Sequence, residues 1–242
     1  MTTIVLSDCH GHPELVSAAL DDAGFSAGRD RLVFAGDFLD RGPRPAECLE
    51  LLEAAGAEML LGNHDAAVVF GQAIWPQDAV SWTFADQLLD GVATGAWRLA
   101  ASAHGVLITH AGVTRHMAHA VAPHAASCAD GLAAALNEAL SLAVSNETLA
   151  DVLLDSDGPL WLRPQTMLQQ GLPAVPQIVG HTSLWSVDAD ELARLGVHLI
   201  DPGAGTLRPG AEPMFFSYAV IGKGGVEVRT GRLPHARERL AS

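Results

Sequence analysis

The sequence predicts an α/β fold, and three observations predict it. Short apolar runs recur along the chain, too short for helices and bounded by glycine, as buried strands are. Stretches with helical periodicity separate the first of these runs. Each run ends on Asp, Asn or His with Gly beside it, which places polar side chains at the carboxyl ends of strands, where α/β sheets bind ligands.

The elements follow in order. Ile4-Val5-Leu6-Ser7 reads as the first strand and runs into Asp8-Cys9-His10-Gly11. Asp8 and His10 lie two apart, so on extended backbone they share a side while Cys9 points away. Residues 13–23 are helical, with Pro13 at the start and Leu15, Val16, Ala19 and Leu20 on one face. Residues 31–35 form the next strand, which Gly36 ends ahead of Asp37-Phe38-Leu39-Asp40-Arg41-Gly42. A second helix is expected over 43–55 and a third strand over 59–61, ending at Gly62-Asn63-His64-Asp65. Strand, helix, strand, helix, strand implies parallel strands with right-handed crossovers.

Residues 66–104 are less regular and read as helices and loops, with Phe70, Trp75, Trp82, Phe84 and Trp97 as local core in the favoured reading or as a partial cover over the site in the other. A strand at 106–108 ends in His110-Ala111-Gly112, and 115–157, rich in Ala and Leu, read as a helical insertion. Trp161 and Arg163 follow a Gly-Pro turn. Strands are expected at 177–179, ending in Gly180-His181-Thr182, and at 197–200, 214–221 and 226–230, the last two joined as a hairpin by Gly222-Lys223-Gly224-Gly225. The polar tail from Pro234 is expected to be mobile. The 242 residues are read as one domain spanning 1–242.

Composition narrows the function. With 49% hydrophobic and 17% charged residues, a packed globular chain is expected. A net charge of −14 argues against nucleic acid but not against a small phosphorylated substrate, because divalent cations reverse the local sign. No apolar run reaches membrane-spanning length, so no membrane partner is expected. Residues 1–6 lack a basic segment, and their apolar run is too short for a signal peptide. Cys9, Cys48 and Cys128 give neither a disulfide framework nor a zinc pair, so a cytoplasmic location is the expectation.

The residues at the strand ends define the chemistry. Asp8, His10, Asp37, Asn63, His110 and His181 offer oxygen or imidazole nitrogen and no thiolate. Such a set suits Mn²⁺, Fe or catalytic Zn²⁺ rather than structural zinc. Six ligands are too many for one ion, and Asp37 is placed to bridge two. Paired ions generate a metal-bound hydroxide that attacks phosphorus in line. The leaving group needs a proton, which His64 can supply. Asp40 can hydrogen-bond His64, favour its protonated form and fix its tautomer. Arg41 and Arg163 can grip phosphate oxygens, as can the Asn63 amide. His12 and His116 lie close in sequence to these ligands and fit no motif; Asp65 reads as a helix-start residue supporting the ligands.

The pattern resembles the calcineurin-like metallophosphoesterases. It is most similar to their phosphoprotein phosphatase branch, because Gly36-Asp37-x-x-Asp40-Arg41-Gly42 carries that branch's Asp-Arg-Gly ending. The motifs run from Asp8 to His181, with an echo at Asp201-Pro202-Gly203. The resemblance implies a four-layer α/β/β/α sandwich with two divalent metal ions, most simply Mn²⁺, at its rim. It implies the ligand roles above, His64 as general acid with Asp40 its partner, and Arg41 and Arg163 as phosphate clamps. It also implies a phosphorylated substrate, phosphoprotein or nucleotide. Asp65 stands where the protein phosphatases usually have Glu; the bacterial symmetrical dinucleoside tetraphosphatases, in the same branch, have Asp. An Asn-Gly-Gly stretch is missing between His64 and His110, and Tyr218 does not sit in the eukaryotic tyrosine motif. The leading expectation is a phosphomonoesterase of the serine/threonine protein phosphatase kind, with a symmetrical diadenosine tetraphosphate hydrolase as the alternative. An inactive metal-binding scaffold is the remote third.

Overall fold

The alternation within the first strand, β1 (Thr3–Leu6), sets the layering. Successive strand side chains point to opposite faces. Val5 therefore enters one apolar core while Ile4 and Leu6 enter another. The computed structural model describes residues 1–208 and 210–234. After β1 come α1 (Pro13–Ala23), β2 (Arg31–Phe34), α2 (Pro45–Ala54), β3 (Glu58–Leu60), α3 (Asn63–Val69), α4 (Ala85–Thr94) and β4 (Trp97–Arg98). Then follow β5 (Ala100–Ala103), β6 (Val106–Thr109), α5 (Arg115–Val121), α6 (Ala129–Ala143), α7 (Glu147–Leu154) and α8 (Pro164–Gln170). The chain continues through β7 (Gln177–Ser183), α9 (Ala189–Arg194), β8 (Val197–Asp201), β9 (Phe215–Gly222) and β10 (Gly225–Arg232).

Two sheets form, flanked by helices, as the four-layer expectation requires. The first has six strands in the order β10-β9-β1-β2-β3-β4, and the second has four in the order β5-β6-β7-β8. Strands β1 to β4 are parallel, and β9 closes on β1 antiparallel, Val5 opposite Ala219. Strands β6, β7 and β8 are parallel, with Ile108 beside Ile178. Val5, Val33 and Leu60 of the first sheet meet Ile108, Ile178 and Ile200 of the second in a core where each is 0% exposed. Helix α1 packs on β1 and β9, α6 on β5 and β6, and α9 on β8.

Local sequence explains the helix ends. Helix α1 opens on Pro13 and stops at Gly24, whose φ of 58° is left-handed and disfavours other residues. Asn146 caps α7 by accepting from Leu149 N, and Asp188 caps α9 by accepting from Glu191 N.

The helices expected within 115–157 are α5, α6 and α7, and the hairpin pairs Gly222 with Gly225. The differences lie where local signals are weak. Strands β4 and β5, read as irregular chain, are very short, and β5 is Ala-Ala-Ser-Ala, a composition of low strand preference. Helices α8 and α9 are seven and six residues long, too short for a periodic signal. The aromatic group divides. Trp97 is buried beside Phe38, ring centroids 5.5 Å apart, but Trp75 and Trp82 are 91% and 38% exposed and are not core. The tail beyond Pro234, with His235, lies outside the described residues.

Candidate active site

Every strand of the two sheets that runs parallel to a neighbour delivers its carboxyl end to the same rim. Asp8 follows β1, Asp37 follows β2, Asn63 follows β3, His110 follows β6 and His181 lies in β7. All but His181, which is half-buried, are at most 2% exposed. The register of β7 against β8 shifts between Val179 and Ser183, an irregularity that re-aims His181. Among the described residues, seven other than glycine have positive φ: Asp8, His10, Asp37, Asp40, Arg41, His104 and His181. All but His104 are predicted site residues. Such backbone is strained outside glycine, so it marks the rim as the place where side-chain position outranks local comfort.

Distances bring the predicted ligands together. The Asp37 carboxylate oxygen Oδ2 lies 3.5 Å from both His10 Nε2 and His110 Nε2. Ligand atoms of Asp8, Asp37 and His110 lie within 4.8 Å of one another, as do those of His10, Asp37 and His64. Asp37 belongs to both groups. His110 Nε2 and His181 Nδ1 approach Asn63 Oδ1 at 2.9 and 3.0 Å.

The outer hydrogen bonds explain these inward approaches. His10 Nδ1–H donates to Leu39 O at 2.8 Å, His110 Nδ1–H to Ala35 O at 2.9 Å, and His181 Nε2–H to Trp161 O at 3.2 Å. Each neutral ring has then spent its only proton, and its lone pair points inward at oxygen acceptors. Acceptors facing acceptors suit a cation between them.

The electrostatics agree. Burial raises Asp8 and Asp37 well above the carboxylate range, and the charges of Asp65 and Asp201 add to the effect. Burial pushes Asp65 and Asp201 up to about 6. Burial also lowers His10 and His181 and takes His110 down to about 3, keeping these imidazoles neutral. Crowded buried carboxylates and neutral imidazoles with backbone-tied outer nitrogens fit divalent cations in charge and donor type.

Beside this centre stands an ordered pair. His64 Nδ1–H donates to Asp40 Oδ2 at 2.5 Å, which leaves Nε2 outside that bond. Asp40 is itself held, Oδ1 accepting from Ser81 Oγ at 2.5 Å and Asp78 N at 2.8 Å. Asp78 also accepts from Arg41 N at 2.9 Å. Arg41 is half-buried, and its Nε has no hydrogen-bond partner. Arg163 is exposed; one arm donates to His181 O at 2.8 Å and Thr182 Oγ1 at 3.2 Å.

Two glycines are required by contact. A Cβ on Gly62 would sit 2.0 Å from Asp37 Oδ1, and one on Gly180 would sit 2.1 Å from Asp8 Oδ2. Asp65 is more than a helix start. Its carboxylate accepts from the backbone N–H of Asp37, Gly62 and Leu39, tying β2's end to β3's. Ser81 and Asp78 carried no signal, because they lie in an irregular stretch. Asp201 was visible only as a faint motif. His12 is buried against Glu14, and His116 is exposed beside a groove lined by α5, α6 and α7.

The fold and this rim define a class: a layered α/β phosphoesterase whose buried carboxylates and imidazoles suit divalent cations. The calcineurin-like phosphoesterase profile matches residues 1–153, and the chain belongs to that family, whose members use divalent metals. Among curated proteins it is similar to the symmetrical bis(5'-nucleosyl)-tetraphosphatase of Chromohalobacter salexigens. The two are 31% identical over 126 residues, 48% of this chain and 46% of that one. It is also similar to the protein of that name from Psychromonas ingrahamii, 37% identical over 67 residues, 27% of this chain and 24% of the relative. The matched stretches thus span less than half the length of these relatives. Among solved structures, the cold-active protein-tyrosine phosphatase of the psychrophile Shewanella sp. superposes with a TM-score of 0.63 at 16% identity. That match covers 96% of this chain and 80% of that one. A putative diadenosine tetraphosphatase gives 0.53 at 19% identity, over 96% and 95% of the two chains. These likenesses describe the fold. No helix among the described residues is long and apolar enough to cross a membrane.

Proposed function

We propose that the chain, acting as one unit, hydrolyses phosphate esters or anhydrides at the shared rim of its two sheets. The observation that carries this is Asp37, whose carboxylate is grouped with Asp8 and His110 on one side and with His10 and the Asp40-bound His64 on the other. Asp8, His10, Asp37, Asn63, His110 and His181 would hold two divalent cations, for which we propose Mn²⁺. Bound there, the cations supply charge neutralisation and an acidified water. Arg41 and Arg163 bind phosphate oxygens, Arg41 through a guanidinium whose Nε is otherwise unpartnered. His64 delivers a proton from Nε2 to the departing oxygen, while Asp40 holds Nδ1–H and fixes the ring's tautomer and orientation. Ser81 and Asp78 fix the Asp40 carboxylate against rotation.

For the substrate, the names carried by the curated relatives favour a dinucleoside polyphosphate over the phosphoprotein first expected, and Asp65 is consistent with that reading. In the symmetrical reaction, water adds across the central P–O–P bond of diadenosine tetraphosphate. One ADP takes the hydroxyl, and the other leaves with the proton from His64. The test is product analysis with Mn²⁺ on diadenosine tetraphosphate, a phosphothreonine peptide and 4-nitrophenyl phosphate, with His64→Asn as control. Two ADP per dinucleotide, lost in the variant, is the expected result. Preferential phosphate release from the peptide would return the protein phosphatase reading, and failure on all three would sink the hydrolase.

A further inference from the structure

A cavity of about 530 Å³ opens beside the rim, walled by the turn from Pro202 to Thr206 on one side and by Trp185, Met214 and Phe215 on the other. Its size falls within the ordinary range for small-molecule sites. Three features separate it from a surface hollow. First, it adjoins the candidate centre: a Cβ on Gly205 would lie 2.8 Å from His10 Nε2, so the turn that lines the cavity also lies against a predicted ligand. Second, none of its lining residues is charged, in a chain of net charge −14, so it suits a neutral group. Third, its aromatic face is both oriented and open. Trp185 Nε1–H donates to Pro202 O at 3.3 Å, and the indole lies 5.4 Å from the Phe215 ring. Yet Trp185 is 52% exposed, Phe215 38% and Met214 57%.

A large aromatic held in one orientation but left half in water has an unpaired face. We propose that this cleft holds the planar base of a nucleotide, stacked on Trp185, while the attached phosphates reach the centre past Gly205. The inference rests on the nucleotide reading of the substrate and gives that reading a location. The hydroxyls at the cleft reinforce it. Ser186 Oγ–H donates to Ser183 O at 2.7 Å and Thr206 Oγ1–H to Gly203 O at 2.8 Å, which leaves their oxygens as acceptors for base N–H groups. The exposed Trp75 and Trp82 lie in the same stretch of chain as Asp78 and Ser81, which hold Asp40. They are the natural competitor.

The experiment compares binding of ADP and of pyrophosphate, the base-free probe, to the Mn²⁺-loaded full chain by equilibrium dialysis. Wild type, Trp185→Ala, Trp185→Phe and Trp82→Ala are taken in parallel, with turnover of diadenosine tetraphosphate measured alongside. Removing an aromatic under a base costs at least about fivefold in affinity. Trp185→Ala should therefore weaken ADP by about fivefold or more and pyrophosphate by a clearly smaller factor, with Trp185→Phe recovering most of the loss. The half-exposed indole supports no core, so the variant should fold; Phe215→Ala gives a second measurement on the same cleft. Unchanged ADP binding in Trp185→Ala overturns the proposal, as does equal loss of both probes or a base-dependent loss found in Trp82→Ala instead. The substrate reading fails separately. Base-dependent ADP binding through Trp185 without cleavage of the dinucleotide leaves the cleft and removes that substrate, while cleavage with no effect of Trp185→Ala does the reverse.

Discussion

Asp40→Asn is the sharpest probe of the proton-delivery role. The Asp40 side chain is fully buried, with Oδ1 filled by Ser81 Oγ and Asp78 N and Oδ2 by His64 Nδ1. An amide has one acceptor end. If its oxygen keeps Ser81 and Asp78, its NH₂ faces His64, and the acceptor that held Nδ1–H becomes a donor opposing it. If it turns the other way, NH₂ faces the Asp78 N–H, a donor, and the Ser81 hydroxyl must turn to accept. Either way a charge-assisted hydrogen bond is lost, worth about 1.5–3 kcal/mol. At about 1.4 kcal/mol per tenfold, kcat on an alkyl phosphate should fall by roughly 10- to 150-fold. On 4-nitrophenyl phosphate, whose leaving group departs without a proton, the loss should be only a few-fold. Ser81→Ala removes one of the bonds to Oδ1 and should produce an intermediate loss with the same substrate dependence. The assay is kcat on both esters for wild type and both variants at saturating Mn²⁺. Equal losses on the two esters would refute the reasoning, since the pair would then be supporting the centre's structure rather than delivering a proton.

Other consequences follow from the same geometry. Mn²⁺ at about a hundred times its dissociation constant should add about 2.7 kcal/mol of stability, or roughly 5–10 °C in Tm for a chain of this size, reversed by chelator and absent in Asp37→Ala; differential scanning calorimetry reads this directly. Gly62→Ala keeps an ordinary backbone, φ −90°, but its methyl would overlap Asp37 Oδ1, so Mn²⁺ affinity should fall by about 10- to 100-fold with the circular dichroism spectrum unchanged. The Arg31 guanidinium binds both Glu58 carboxylate oxygens, at 2.6 and 2.7 Å, across the β2–β3 pair and holds Glu58 below its ordinary 4.5. Because the folded value is the lower one, the stabilisation is present above pH 4.5 and is lost as the pH falls through the folded value. For this partly exposed pair, Glu58→Gln should cost about 0.5–1 kcal/mol at pH 7 and nothing in acid, measured by urea unfolding at both pH values.

How much of this could be read from the chain depends on the kind of signal each residue sends. Val33, Phe34 and Ala35, each 0% exposed, form an unbroken apolar run bounded by Gly36, as a short strand covered on both faces does. The acid that follows such a run must stand at the sheet's rim, so Asp8, Asp37, Asn63 and His110 could be gathered before any coordinates. Ser81 and Asp78 could not. They reach Asp40 from about forty residues away through a 3-10 turn, Ala79–Phe84, with no period and no motif. Asp65 was visible as a residue but not as the triple acceptor that fixes the Asp37 backbone, because that function depends on three N–H groups that converge only in the fold. Trp185 sends no signal either, since a half-exposed tryptophan and a core tryptophan look alike in a sequence.

The layering explains why strained residues can persist at the rim. Left-handed backbone outside glycine costs of order 1–3 kcal/mol per residue. Asp8, Asp37 and His181 accept that cost at the ends of strands whose roots, Val5, Val33 and Ile178, are fully buried between the sheets. Bonds that cross from one sheet to the other hold the rim itself. His110 of the second sheet donates to Ala35 O of the first, and the backbone N–H of His181 donates to the Asp8 carboxylate at 3.1 Å. These crossing bonds use outward nitrogens and main-chain N–H groups. They leave Nε2 of His10 and His110 and Oδ2 of Asp37 clear of the backbone, while Asp8 and Asp37 Oδ1 each accept a main-chain N–H that aims the carboxylate. A site built this way keeps its shape before a ligand arrives, and binding energy can then go to the reaction rather than to ordering the residues that perform it.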